Sequence, residues 1–176
     1  MHHFSWLKLV ILFIILLAAV PITSGAAPPV SFRMTAEDKG CEIEVAVLAE
    51  DVTDLYAFDL LLAVDSDTLR LKKATSGMQG FTVAPLLEGD ILRFAHTKIG
   101  DSSGSNGTVT LAVLLFERIG EEAPAIRLVQ AQLVNSQLEM DSFTPDTKIS
   151  LKPLAQWDDI VGHWAEAFIR LLRRLP

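Results

Sequence analysis

Residues 41–50 read CEIEVAVLAE, and the alternation in that stretch limits the fold more than any other feature of the chain. Cys41, Ile43, Val45, Val47 and Ala49 fall in one phase, Glu42, Glu44 and Glu50 in the other. A two-residue period puts successive side chains on opposite sides of an extended strand, so one side is buried and the other wet. In the segment that follows, DLYAFDLLLAV (residues 54–64), Tyr56, Phe58, Leu60, Leu62 and Val64 share a phase. The opposite phase is apolar too, at Ala57, Leu61 and Ala63, and is broken by Asp59. A strand apolar on much of both sides belongs inside a sheet rather than at its edge.

The pattern continues along the chain. Asp65-Ser66-Asp67 supplies turn-forming side chains, after which Leu69, Leu71 and Ala74 resume the apolar phase. DILRFAHT (90–97), TVTLAVLLFERIG (108–120), AIRLVQAQLVNS (125–136) and TPDTKISL (144–151) read as further strands. They are separated by the Gly and Ser loop GDSSGSNG (100–107) and by a break from Gly120 to Pro124. No helix is expected before Trp157. The series predicts an all-β fold, an antiparallel β-sandwich over residues 30–152, with a β-barrel as the alternative that spacing alone does not separate.

The chain opens MHHFSWLKLVILFIILLAAVPITSGAAPP, with Lys8 ahead of an apolar run from Leu9 to Val20, then Pro21 and the small residues Ser24, Gly25 and Ala26. That is the order of a secretory signal peptide, residues 1–26, cut after Ala26. The run is shorter than the ~20 residues that cross a bilayer, and an uncleaved anchor extended through Ile22 is the alternative. Both place the rest of the chain outside the cytoplasm, secreted or at the cell surface. Cys41 is the only cysteine, so no internal disulfide forms, and a buried core thiol is the expected state. The formal charge of −7 opposes binding to a phosphate backbone, and nucleic acid is not an expected partner.

Catalytic chemistry finds little to work with. His96 is the sole histidine between residues 30 and 152, and it is expected to be a half-buried structural residue rather than a base. No zinc-type or Gly-x-Ser-x-Gly motif occurs, so no catalytic residue, metal site or cofactor is assigned. The Asp-containing turns at 51–54 and 65–67 lack the spacing of a twelve-residue calcium loop and read as solvated turns. Asn106-Gly107-Thr108 matches a glycosylation sequon and is given no functional weight.

At DLYAFDLLLAVDSDTLRLKKATSG the chain resembles the cohesin domain, through Ala57, Phe58, Asp59, Leu60, Leu62, Asp65, Leu69, Leu71 and Gly77. The resemblance spans Val30 to Leu151, and Ser66 stands where that family usually has a proline. It implies a jelly-roll β-sandwich, similar to carbohydrate-binding modules, and a non-catalytic role. The implied partner is a dockerin-bearing protein of the kind found on polysaccharide-degrading enzymes. Direct binding of polysaccharide is the second reading; it calls for an exposed Tyr56 or Phe, because sugars stack on aromatic rings. Residues 30–151 contain no Trp and a single Tyr, which favours the protein partner. A ligand-free structural spacer is the third reading.

Trp157-Asp158-Asp159-Ile160-Val161-Gly162-His163-Trp164-Ala165 resembles the opening of an S-layer homology motif, placed here at residues 157–176. Ala165, Phe168, Ile169 and Leu172 recur at helical spacing, and Arg170, Arg173 and Arg174 fill the polar side, so a short C-terminal amphipathic helix is expected. The resemblance implies that Asp159, His163 and Trp164 belong to a cell-wall polysaccharide site. That site is incomplete, because the second helix and the tandem copies of the family pattern are not in this sequence.

Overall fold

The alternating stretch and the apolar stretch that follows it are one strand. The computed structural model describes residues 29–153, so the leader at 1–26 and the 157–176 segment, with its helix and with Asp159, His163 and Trp164, lie outside the described residues. Within them, β2 (Glu42–Val64) runs for 23 residues and serves both layers of the fold. Its first half pairs with β1 (Ser31–Asp38) and β7 (Ser105–Arg118), and its second half with β6 (Ile91–Thr97) and β8 (Ala125–Asn135). Register shifts in the β2–β7 pairing between Val47 and Leu55 bend the strand, with Asp51 and Asp54 at φ of 58° and 54°. Extra residues on one strand of a ladder kink it and raise its twist, and aspartate is among the few non-glycine residues that enter the left-handed region readily. The turn expected at Asp51–Asp54 is therefore a bend inside a continuous strand.

β3 (Leu69–Thr75) joins β7, so the first layer is β1, the N-terminal half of β2, β7 and β3. The second layer is the C-terminal half of β2 flanked by β6 and β8. Beyond β6 lie β4 (Phe81–Thr82) and β5 (Leu86–Glu88), and beyond β8 lie β9 (Met140–Phe143) and β10 (Thr147–Ser150). Every pairing is antiparallel. Because β2 belongs to both layers, the ten strands form one hydrogen-bonded network, a sandwich with a barrel-like continuity. No helix occurs among the described residues.

The buried phase is the one the alternation marks: Ile43, Val45, Val47 and Ala49 from the first layer and Leu60, Leu62, Leu92 and Phe94 from the second are all fully buried. Two phase assignments need correction. Cys41 is exposed rather than buried, because β2 starts at Glu42 and position 41 lies in the connection at the end of the sandwich, where no facing layer covers it. Tyr56 is half-buried and Leu55 takes the core position, since the register shift between Leu55 and Ala57 reverses the phase there.

Polar ties hold the two ends. At one, Arg118, with its side chain 1% exposed, pairs with Asp38 at 2.7 Å and donates to the carbonyl of Lys152 at 2.7 Å. At the other, the Asp54 carboxylate accepts from the Gly104 N–H (3.1 Å) and from the N–H (3.2 Å) and hydroxyl of Ser136, while the Asp54 N–H donates to Asn106 Oδ1 at 2.9 Å. These contacts join the bend of β2 to the start of β7 and the turn after β8. They hold the Asp54 pKa below its ordinary value, the Ser136 hydroxyl contributing most.

Gly104 makes that approach feasible. A Cβ there lies 2.2 Å from Asp54 Oδ1 and 2.3 Å from the Asp54 carbonyl carbon, and the second of these atoms is backbone that has little room to move. Gly104→Ala is expected to lower unfolding stability by about 1–3 kcal/mol, the usual cost of overpacking, read from the midpoint of a denaturant titration.

Candidate functional site

The two outward faces differ in kind. On the first layer, Arg33–Glu50, Lys39–Glu37, Lys39–Glu44, Arg70–Glu117 and Lys72–Glu42 form ion pairs with exposed or half-exposed partners. Such pairs contribute little and are content in water. On the second layer, one pair, Arg93–Asp59, is found among the described residues.

Register builds the second face from its rows. Antiparallel partners lie on the same side of a sheet, so Phe81, Thr97, Ala57, Val134 and Met140 form one row across five strands. Leu86, Arg93, Leu61 and Gln130 form a parallel row nearer the middle of the strands. Phe81, Leu86, Ile91 and Met140 are exposed, while Ala57, Leu61, Ala63, Ala95 and Val134 are half-buried only by their neighbours in the sheet. From its row Arg93 forks over the carboxylate of Asp59, which lies between the two rows, its Nε at 2.9–3.1 Å from both oxygens and an Nη in contact as well. The pairing raises the Arg93 pKa, chiefly through these hydrogen bonds. The face thus has a small-residue, apolar middle crossed by the Arg93–Asp59 pair and bounded at one end by the row Glu88, Ile91, Ala63, Arg127 and Lys148, able to accept a flat apolar partner and to offer it charged groups.

Beneath the outer edge of this face sits His96, 3% exposed. Its Nδ1 lies 2.8 Å from Thr82 Oγ1 on β4, and its ring stacks on Phe58 at 5.6 Å. Nε2 has no hydrogen-bond partner among the described residues, and burial pushes the imidazole below its ordinary pKa against a smaller opposing effect of the Gln79 backbone. His96 is therefore more deeply buried than expected and holds β4, with Phe81, against the layer.

The other sequence candidates fall elsewhere. Asp65 opens the turn after β2, and at that turn the Ser66 N–H and hydroxyl donate to Asp90 Oδ1. A proline at 66 has no N–H to make the first of these contacts. Among the described residues no three His, Cys, Asp or Glu side chains converge as a metal site. Asn106 is exposed and braces Asp54. Tyr56 donates its hydroxyl to the Gly100 carbonyl at 2.7 Å, which leaves Phe81 as the one exposed aromatic ring among the described residues. Sequence reasoning assigned no strand to residues 79–88 and so missed Phe81, Leu86 and the edge they form. The available signal was QGFTVAP, apolar in both phases and closed by Pro85.

No family model and no curated protein matches the chain. Solved structures do. A cohesin module from a Clostridium perfringens family 33 glycoside hydrolase is 15% identical with a TM-score of 0.55, covering 70% of this chain and 97% of that one. A non-cellulosomal cohesin from the archaeon Archaeoglobus fulgidus is 15% identical with a TM-score of 0.53, covering 76% and 98%. The sixth cohesin from scaffoldin B of Acetivibrio cellulolyticus, solved in complex with a mutant dockerin, is 13% identical with a TM-score of 0.57, covering 71% and 100%. At these identities the likeness establishes the fold, a cohesin-like antiparallel β-sandwich.

The buried, half-satisfied imidazole sets a pH dependence. Its folded pKa lies below the unfolded value of 6.5, so its contribution is fully present above 6.5 and is lost as pH falls through the folded pKa. Stability followed by denaturant titration from pH 7.5 downward is expected to decline below about 6.5 in the wild type and to decline less steeply in His96→Gln.

Proposed function

We propose that the domain is a non-catalytic docking module that takes a dockerin-type partner, such as those borne by polysaccharide-degrading enzymes, on the outer face of the second layer. The observation that carries this reading is the contrast between the faces: one is laced with solvated ion pairs, the other exposes Phe81, Leu86, Ile91 and Met140 around the Arg93–Asp59 pair, with Glu88, Arg127 and Lys148 confined to one row at its end. Apolar area gathered on one side of a small domain, with an arginine at its centre, is the usual composition of a protein-binding patch. The fold likeness to cohesins, one of them solved with a dockerin, supports the partner class. The lone exposed ring of Phe81 makes a poor sugar platform, which sets polysaccharide second.

Export belongs to the same proposal. Residues 1–26 act as the leader, and the module works outside the cell. Wall attachment through Asp159, His163 and Trp164 is not part of the proposed activity.

The test is calorimetric titration of the protein with a panel of dockerins, alongside pull-down on cellulose, chitin and cell-wall material. At least one dockerin is expected to bind at micromolar concentration or tighter. Leu61→Arg, at the centre of the face, is expected to weaken it by at least about 30-fold, the loss of one hot spot. Ala46→Arg, on the outer face of the first layer, is expected to leave it unchanged. Silence across the panel, retention on polysaccharide, or the reverse ranking of the two variants defeats the proposal.

A further inference from the structure

Antiparallel register sets three pairs of like charges directly opposite one another among the described residues: Glu37 and Glu44 across β1 and β2, Glu42 and Glu117 across β2 and β7, and Arg127 and Lys148 across β8 and β10. Like charges so placed repel and weaken a sheet. The two acidic pairs, on the first layer, are relieved inside the domain. Lys39 reaches both Glu37 and Glu44, Lys72 reaches Glu42, and Arg70 reaches Glu117. Arg127 and Lys148 have no such relief, since neither forms an ion pair or a side-chain hydrogen bond among the described residues. Arg33, Arg70, Arg93 and Arg118 each pair with a carboxylate, so Arg127 is the exception among the described arginines.

Carboxylates are not lacking nearby. A cavity of about 550 Å³ at this end of the second layer is lined by Ala63, Arg127 and Lys148 and also by Asp65, Asp90 and Asp146. None of the three aspartates pairs with either cation, and Asp90 Oδ1 is taken by the N–H and hydroxyl of Ser66. Asp65 and Asp90 sit in the turns that follow β2 and precede β6. Arg127 alternates with the fully buried Ile126 and Leu128 and so stands, exposed, on the outward side of β8, with exposed Lys148 beside it. Its register partner on β2 is Ala63, two residues from Leu61, so the two cations adjoin the apolar middle of the face across a small side chain.

From this we infer that Arg127 and Lys148 hold an acidic side chain of the docked partner, and that this contact selects among dockerin-type partners. The inference rests on the docking role proposed above. A single carboxylate fits, because a guanidinium and an ammonium side by side can both donate to its oxygens. An extended polyanion or an anionic membrane does not, because the chain carries a formal charge of −7 and three aspartates line the same cavity. An exposed contact of this kind governs which partner docks and how fast, more than how long it stays. The repulsion between Arg127 and Lys148 is then relieved in the complex, as the acidic pairs are relieved within the domain.

The test uses the full chain and the dockerin of the panel that the wild type binds most tightly, with association followed by stopped flow at low and physiological ionic strength. Arg127→Gln and Lys148→Gln are each expected to weaken binding about fivefold, mainly through slower association, and to flatten its salt dependence. The melting temperature of both is expected to stay level or to rise by up to about 3 °C, because each removes a like-charge repulsion. Lys73→Gln, which removes an exposed lysine from β3 on the first layer, is expected to leave binding unchanged. Lys148→Glu is expected to lose at least about 30-fold, and to regain most of it when one acidic residue of the dockerin is replaced by lysine. The inference is overturned, while the docking role stands, if the Arg127 and Lys148 variants bind as the wild type does or Lys73→Gln loses as much as they do. A lowered melting temperature in both glutamine variants, or the failure of every acidic position of the dockerin to compensate, overturns it equally. Silence of the wild type across the panel defeats the docking role and this contact with it.

Discussion

Everything in this fold depends on the bend of β2 at Asp51–Asp54. A straight strand of that length has no second layer to bury against; bent, it lends Ile43, Val45, Val47 and Ala49 to one wall of the core and Leu60, Leu62 and Val64 to the other. The bend is held in place from outside. Asp54 adopts a left-handed angle and uses its carboxylate to gather the start of β7 and the turn after β8, and Gly104 leaves it the room. A local backbone irregularity is thereby turned into the junction of three connections, which is how bulges commonly work in β proteins.

The same bend divides the labour of the surfaces. The half of β2 that carries Glu42, Glu44 and Glu50 faces water beside Arg33, Lys39 and Lys72, and that side is kept soluble by pairs of opposite charge. The other half carries Ala57, Asp59, Leu61 and Ala63 outward, where its register partners are Thr97, Ala95, Arg93 and Ile91 on one side and Val134, Gln132, Gln130 and Arg127 on the other. Small side chains along a central strand keep a sheet flat and open to close approach. The Arg93–Asp59 pair lets a charge sit there without an uncompensated field.

Buried polar groups mark where the domain gives up stability for order. Arg118 is enclosed with Nε unpartnered among the described residues, yet its other nitrogens reach Asp38 and the Lys152 carbonyl and so fix both the β1–β2 connection and the chain after β10. His96 lacks a partner at Nε2 among the described residues but anchors Thr82 and thereby the short edge strand β4. Partly satisfied buried groups cost free energy. In both places the group holds a segment too short to be held by core packing alone.

What was legible in the sequence was whatever depends on a two-residue period: the strand character of 42–50, 55–64, 91–97 and 108–118, the identity of most core residues, and the all-β class; the first three residues of β7, read as the end of the Gly and Ser loop, were not. The likeness of the segment around Phe58 and Asp59 to cohesins also pointed to the fold that the solved structures share. Period says nothing about phase at an irregularity, so Cys41 and Tyr56 were misplaced, one at a strand end and one beside a register shift. Nor does it say which residues meet across the sheet. Arg93 and Asp59 are 34 positions apart, and Asp54 and Ser136 are 82 apart; such pairs exist only because bent strands bring distant segments together. That alternating residues of this chain would be buried along extended strands was already set by the order of its amino acids, because side-chain alternation is a local property of the extended backbone. Which outer face would be left apolar, and which loops would meet at its end, was decided by the tertiary structure alone, because both follow from where β2 bends and from the register its neighbours then take.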